Sequence, residues 1–286
     1  MLEYRIGAVL VNYHSDEQTL ALALQFSTYE SIEKIVIVNN EANPDFGDTI
    51  GSNKIIIINE KENLGYSRGN NIGINILKEE GCKYIVISNS DVDVDEDCII
   101  SCVNYVENDR TIGLIAPRMK YPSGKYASLR FIPLNYLRVF LRIFIPEPIL
   151  DRKTEYKMKA NNGLVFQSYV PGSFFIINSE AIKDEYFFDP VIFLYREEEI
   201  LGARMSQQGY KVAVAVNYEF LHNHIYYDEP YLKRKNRNEI MMKSERVYFK
   251  KYLNAKGFKM GYIILMQKIF SNSRYIAWKM KSIFMK

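Results

Sequence analysis

Two stretches of this sequence crowd carboxylates together, Asn89-Ser90-Asp91-Val92-Asp93 and Glu197-Glu198-Glu199. Acidic side chains this close repel one another, and any phosphate beside them, unless a hard divalent cation lies between. Asp91 and Asp93 are therefore a metal-site candidate. The same residues suit a solvated turn that opens a helix, because Asp95 and Asp97 follow where a helix N-terminus favours negative charge. Both readings are open from these residues alone, and Glu197 to Glu199 equally fit an ordinary first helical turn. The segment NLGYSRGNNIG at 63–73 is a Gly- and Asn-rich turn entering a helix pattern, where backbone N–H groups and Arg68 are placed to approach phosphate oxygens. It lacks the spacing and the Lys of a P-loop, and on its own reads as a plain loop with a helix cap. His222-Asn223-His224 sets two imidazoles at i, i+2, which point the same way on an extended segment. Without further context they read as loop histidines, and His14 as a lone surface or cleft residue.

The elements that position these residues alternate. Short β-branched runs at 5–12, 34–39, 54–59, 83–88 and 112–117 read as strands, with helix patterns at 16–29 and 67–80 between them. Such alternation implies a parallel sheet with right-handed crossovers, an α/β nucleotide-binding architecture. Ligands of open α/β sheets bind at the carboxyl ends of strands, and here those ends are Asn12-Tyr13-His14, Asn39-Asn40, residues 59–63 and residues 89–93. Residues 118–168 are less regular, broken by Pro122, Pro133, Pro146 and Pro148. Within them FIPLNYLRVFLRIFIPEPIL (131–150) is apolar but interrupted by Arg138 and Arg142, too short to span a bilayer, and expected as a core or interfacial helix. A strand is expected over 169–178, with Pro171-Gly172 in it, and a helix opening at the glutamates with Leu201 and Met205 on one face.

With 48% apolar and 25% charged residues, the chain lies within ordinary globular bounds and is not disordered or fibrous. No opening stretch joins a basic start to an uninterrupted apolar run, so a cytoplasmic protein is expected. Cys82, Cys98 and Cys102 lack Cys-x-x-Cys spacing and suit buried thiols in a reducing compartment. The net charge of +3 conceals an asymmetry: residues 231–286 hold 15 Lys and Arg against Glu239 and Glu245, leaving 22 basic and 32 acidic side chains in residues 1–230. A basic end of this kind seeks phosphate-rich surfaces. Residues 236–255 pattern as an amphipathic helix, while 258–286 interleave aromatics with Lys259, Lys268, Arg274, Lys279, Lys281 and Lys286, a composition suited to a membrane interface. Nucleic acid is the rival polyanion, but Trp278, Phe284 and Met285 favour lipid, so an anionic membrane surface is the expected partner.

Taken in order, VLVNYHS, KIVIVNNE, NLGYSRGNNIG, ISNSDVDVD, PGSFFII and FLYREEEILGAR resemble the motif series of glycosyltransferase family 2 with its GT-A fold, especially the bacterial rhamnosyltransferase-like branch, over most of residues 5–250. The resemblance implies a GT-A catalytic domain at 1–230, with a nucleotide-sugar half at 1–117 and an acceptor half at 118–230, followed by a basic helical extension at 231–286. It implies that Tyr13 and Asn39 flank the nucleotide base, that Asn63, Gly65, Arg68 and Asn71 line the donor side, and that Asn89 and Asp91 hold Mn2+ or Mg2+. Asp93 is then a possible extra ligand, and His222 or His224 matches a late metal-contacting His. Glu198 matches the general base and Glu197 its acidic neighbour. Four departures stand out: Asn39 replaces an Asp, Asn89 the first acid, Glu198 an Asp, and Ile200 a further acid. The neutral Asn still coordinates through its carbonyl, and Glu keeps the carboxylate on a longer stem.

The activity so implied is inverting transfer of a sugar from a UDP- or dTDP-sugar, rhamnose among the options, to a saccharide acceptor in bacterial cell-surface polysaccharide synthesis. A lipid-linked acceptor would give the basic end a purpose at the inner membrane face. A non-catalytic GT-A-like binder of nucleotide-sugars or polyanions is the rival from another class, with its departures recording lost chemistry. A sugar nucleotidyltransferase would need a Gly-rich basic loop after the first strand, where this chain has Asn12-Tyr13-His14-Ser15.

Overall fold

Runs of Val and Ile with polar residues only at their ends make strands buried on both faces, as in a parallel sheet covered by helices. Strands β1 (Ile6–Asn12), β2 (Ile32–Asn39) and β4 (Tyr84–Ser88) are largely of this kind, β3 (Ile55–Asn59) is a half-buried edge strand, and the four pair in parallel in the order β3-β2-β1-β4. The computed structural model describes residues 4–41, 46, 51–145, 149, 162–223 and 230–284. Helix α1 (Asp16–Thr28) and helix α3 (Glu96–Asn108) cover one sheet face through Leu22, Phe26, Ile99 and Val103. Helix α2 (Gly65–Glu79) covers the other through Ile74 and Leu77. All three cysteines are buried and free, two of them on α3.

The second half extends the same sheet. Strand β8 (Phe174–Asn178) lies antiparallel between β4 and β6 (Ile112–Lys120), and β9 (Lys211–His222) runs parallel beside β6. Two short strands, β5 (Val92–Asp93) and β7 (Leu164–Phe166), pair antiparallel with β9. The strand expected over 169–178 is confined to Phe174–Asn178, because Pro171 cannot donate to a ladder. The helix expected at the glutamates is α5 (Glu197–Gln207), with Leu201 and Met205 buried as expected.

Within the apolar stretch at 131–150 the described residues include the short helix α4 (Tyr136–Leu141). It is core on one side and open on the other: Leu134 and Val139 are buried, whereas Leu137, Phe140 and Phe144 face solvent, Phe144 at 70% exposure. Its arginines turn inward, Arg138 donating to the Ile132 carbonyl at 2.8 Å. The basic end forms α6 (Tyr231–Val247), a short π-turn and the long α7 (Gly257–Phe284). Phe249, Ala255 and Ile263 of this end share a core with Val139 of α4 and Ile200 of α5. The extension thus packs on the helix that carries the glutamates. No helix among the described residues is long and apolar enough to cross a membrane.

Candidate active site

The end of β4 turns sharply. Asn89 N–H donates to the Ser173 carbonyl at 2.8 Å, and three residues later the chain enters β5, whose Val92 pairs with His222 of β9. Asn223 N–H donates to the Asp91 carbonyl at 2.7 Å, so the register of this small ladder brings His222 Nε2 to 3.3 Å from Asp91 Oδ1. That separation is close to the spacing of neighbouring ligands on one octahedral cation with bonds of about 2.1 Å. An imidazole nitrogen and a carboxylate oxygen are donors that first-row divalent ions accept, so these residues fit Mn2+, and the Asp91 oxygen is the donor that suits Mg2+. Asp93 does not join them. It is exposed and lies near enough to Tyr29, on the α1 side, to help burial raise that phenol. His224 lies outside the described residues, among which no three His, Cys, Asp or Glu converge. Two protein ligands with phosphate oxygens and water completing the shell is an arrangement Mg2+ commonly adopts.

The glutamates are placed by unusual backbone. Tyr195 and Arg196 both have left-handed φ, 69° and 71°, which is uncommon outside glycine. This kink aims the start of α5 into a cleft of about 500 Å³ lined by Asn89, His222, Tyr66, Gly172, Glu197 and Glu198, among others. Burial pushes the Glu198 carboxyl up to about 7, with Glu199 adding to the rise and Arg196 and Arg130 pulling against it. Burial, then the neighbouring Glu198, also raises Glu197. Glu198 is seated against Gly172: a Cβ there would come within 2.2 Å of Glu198 Oε1. Tyr66 donates to the Gly172 carbonyl at 2.6 Å, its phenol held well above its ordinary range by burial and by Glu197 and Glu198. The cleft therefore has Glu198 on its lining together with Asn89 and His222, and Asp91 lies behind His222 at 3.3 Å.

The ends of the parallel strands are organised by amides. In register across the ends of three strands, Asn12 Nδ2 donates to Asn39 Oδ1 at 2.9 Å and Asn39 Nδ2 to Asn59 Oδ1 at 2.9 Å. Asn39 is wholly buried, so its amide ties the strand ends together whatever it offers a base. Tyr13 is half exposed with its ring centroid 4.1 Å from that of His14, open for stacking. Gly65 has φ 80°, and a Cβ there would meet the Phe193 carbonyl at 2.4 Å, so glycine is required for α2 to start against the loop before α5. Asn63 caps that start, accepting from Gly65 N–H at 2.8 Å. Arg68 donates to the Pro190 carbonyl at 2.9 Å and Asn71 grips both backbone groups of Phe188 at 2.9 Å. Neither lines the cleft. Both pin the segment before α5, because their helix face meets that segment.

A family model described as Glycosyl transferase family 2 matches residues 10–184. The chain belongs to glycosyl transferase family 2. The low-salt glycan biosynthesis hexosyltransferase Agl10 of Haloferax volcanii is 22% identical over 219 residues, 76% of this chain and 67% of that protein. Three solved structures are similar in fold. GalNAc-T7 with UDP, GalNAc and Mn2+ has a TM-score of 0.57 at 12% identity, covering 97% of this chain and 57% of the other. The mannosyltransferase PcManGT from Pyrobaculum calidifontis, in complex with GDP-Man and Mn2+, scores 0.55 at 12% identity over 95% of this chain and 70% of its own. S. aureus TarS 1–349 scores 0.53 at 11% identity over 93% and 70%. The GT-A fold is thereby established, and this chain spans little more than half the length of the first of these structures.

Within this glycosyl transferase family 2 chain the cleft also uses residues that no motif marks. Tyr66 lies inside the Gly-Asn turn, Arg237 inside the basic run of α6, and Arg130 in the irregular segment, yet all three line the cleft. Arg196 immediately precedes the glutamates, and that adjacency was its one sequence signal.

Proposed function

We propose that the chain is a metal-dependent, inverting glycosyltransferase acting on a nucleotide-diphosphate sugar and a saccharide acceptor. The observation that carries this reading is that Glu198, raised to about 7, shares one cleft with Asn89 and with His222, whose Nε2 lies 3.3 Å from Asp91 Oδ1. A divalent cation held by Asp91 and His222, with Asn89 beside them, would supply charge neutralisation at the leaving diphosphate. Glu198 accepts the proton of the attacking acceptor hydroxyl. As the acceptor oxygen bonds to the anomeric carbon, the bond from that carbon to the diphosphate oxygen breaks and the nucleoside diphosphate leaves on the opposite face. A base with a pKa near the working pH contributes about 10²–10⁴-fold. Burial and the neighbouring Glu198 raise the Glu197 carboxyl, which favours its neutral form beside the base. Tyr13 stacks on the nucleobase, and the Asn12–Asn39–Asn59 ladder holds the strand ends that frame it.

The Mn2+ in the GalNAc-T7 and PcManGT structures supports the cation, and the nucleotides there support a nucleoside diphosphate leaving group. The rhamnosyltransferase-like motif series favours a UDP- or dTDP-sugar, rhamnose among the options, and the glycan-biosynthetic name of the Haloferax relative favours polysaccharide assembly. The acceptor is lipid-linked and the protein is peripheral at the inner membrane face. That part rests on exposed Phe258, Leu265 and Ile269 of α7 beside Lys259 and Lys268, and on exposed Leu137 and Phe144 of α4. A donor screen with Mn2+, reading nucleoside diphosphate release with and without chelator, tests the reading. Chelator-sensitive release from one donor class is expected, and release indifferent to chelator would remove the metal from the account.

A further inference from the structure

A cluster of buried charges lies behind the cleft, where α4, α5, α6 and α7 meet. Arg142, just past α4, makes a two-armed pair with Glu245 of α6, its Nη2 at 2.8 Å from Glu245 Oε2. Arg196 Nη2 donates to Glu245 Oε1 at 2.7 Å, while its Nη1 pairs with Glu199. Gln267 of α7 donates to Glu245 Oε2 at 2.9 Å and accepts from Arg246 at 2.7 Å. Glu245 and Gln267 are wholly buried, and Arg142, Arg196 and Glu199 are at most 9% exposed. Burial alone would push Glu245 up, but Arg196 and Arg142 outweigh it and hold the carboxyl below its ordinary range.

Charges buried this deeply are weak contributors to stability, since well-packed apolar groups often serve as well. Their location is the informative fact. Arg196 is the residue before α5, its backbone left-handed, and Glu199 lies one residue beyond Glu198. The same short segment is held from both sides, Ser244 donating to the Leu194 carbonyl at 2.9 Å and Tyr66 N–H to the Phe193 carbonyl at 2.9 Å. An uncommon backbone conformation persists only where the surroundings over-determine it.

We propose that Arg196 is a positioning residue for the Glu198 carboxylate: clamped between Glu199 and Glu245, its two-armed guanidinium fixes the left-handed entry to α5 and makes the C-terminal helices a working part of the transfer site. This rests on reading Glu198 as the base. The groups facing Glu198 are Glu197, Glu199 and Arg196 from its own helix and its start, Arg130 and Tyr169 from the chain between β6 and β8, Tyr66 from α2, His222 from β9 and Arg237 from α6. Of these, Arg196 joins the base to the extension, through Glu245.

The experiment compares Arg196→Gln and Arg196→Lys in the full chain, with pH profiles of kcat and donor KM. A misplacement of about 1 Å costs on the order of 10²-fold, so Arg196→Gln should lose about that in kcat with donor KM within about threefold. Its acidic limb should move to higher pH, because a cation that favours the Glu198 anion is gone. Arg196→Lys returns the charge but not the fork. It should recover about tenfold of the loss and return the limb towards its original position. The proposal is overturned if a folded Arg196→Gln keeps kcat and limb, or if both variants lose kcat equally while donor KM rises in proportion. Should Arg196→Gln not fold, Arg196→Lys decides: an unaltered kcat overturns the proposal. Normal transfer by Glu198→Gln would instead show that the base reading had failed.

Discussion

Replacing Gly172 with Ala adds one methyl group where the structure has least room for it. The new Cβ would lie 2.2 Å from Glu198 Oε1 and 2.9 Å from its Cδ, against an ordinary contact of 3.4 Å or more. The carboxylate must therefore retreat by about 1 Å. Gly172 is not among the left-handed glycines, so Ala introduces no backbone strain. The atom it strikes is the end of a flexible side chain, so the fold loses little, within about 1 kcal/mol. Catalysis is more exacting: a displacement of about 1 Å costs on the order of 10²-fold, equivalent to about 2.7 kcal/mol in the barrier. Steady-state transfer kinetics beside thermal melting separate the two, with kcat expected to fall about a hundredfold while the melting temperature moves by a few degrees. A folded Gly172→Ala with kcat within about threefold of the original would refute the placement of Glu198 as the group whose position matters.

Asp91→Ala should abolish metal-dependent binding of nucleoside diphosphate while leaving the fold intact, which calorimetric titration with Mn2+ measures; unchanged affinity would place the metal elsewhere. Because Glu198 must be ionised to accept a proton, kcat/KM should fall as pH drops below about 7, and a rate flat down to pH 5 would contradict that assignment. The same raised carboxyl means that the folded state holds a proton the unfolded chain has lost, so its ionisation destabilises the fold as pH rises from about 4.5 to 7. Glu198→Gln should then melt higher than the original at pH 8, by at most about 3 kcal/mol, and equally at pH 4; no pH dependence of the difference would argue against the burial invoked. For membrane docking, changing exposed Phe258, Leu265 and Ile269 to Ser should reduce co-sedimentation with anionic vesicles, and salt should weaken the remainder. Undiminished binding would exclude this face of α7. Deleting α7 is a poorer test, because buried Ile263 and Gln267 would leave with it.

The sheet was legible because its strands are continuous Val and Ile runs ending in Asn or Ser, and periodicity reports burial directly. The short motifs carried the sequence reading of the site, and the structure sets Asn89, His222 and Glu198 of those motifs around one cleft. Asp93 was misplaced from spacing alone, because β5 pairs with β9 and carries the Asp93 side chain towards Tyr29 instead. Arg68 and Asn71 illustrate a second difficulty. In sequence they belong to a phosphate-like turn, but only the tertiary packing reveals that Pro190 and Phe188 take their hydrogen bonds. The stretch at 131–150 was expected as a core or interfacial helix, and its burial of arginines with phenylalanines left exposed was not legible, since Arg142 finds Glu245 across 103 residues of chain. No local pattern encodes such a partner.

The central claim, that Glu198 deprotonates the acceptor beside a metal site at Asp91 and His222, is tested most directly by following sugar transfer and donor binding together in Glu198→Gln with Mn2+ present. The account predicts that transfer falls by about 10²–10⁴-fold while donor affinity stays within about threefold. Transfer at a near-normal rate by Glu198→Gln, with loss in Glu197→Gln instead, would contradict it.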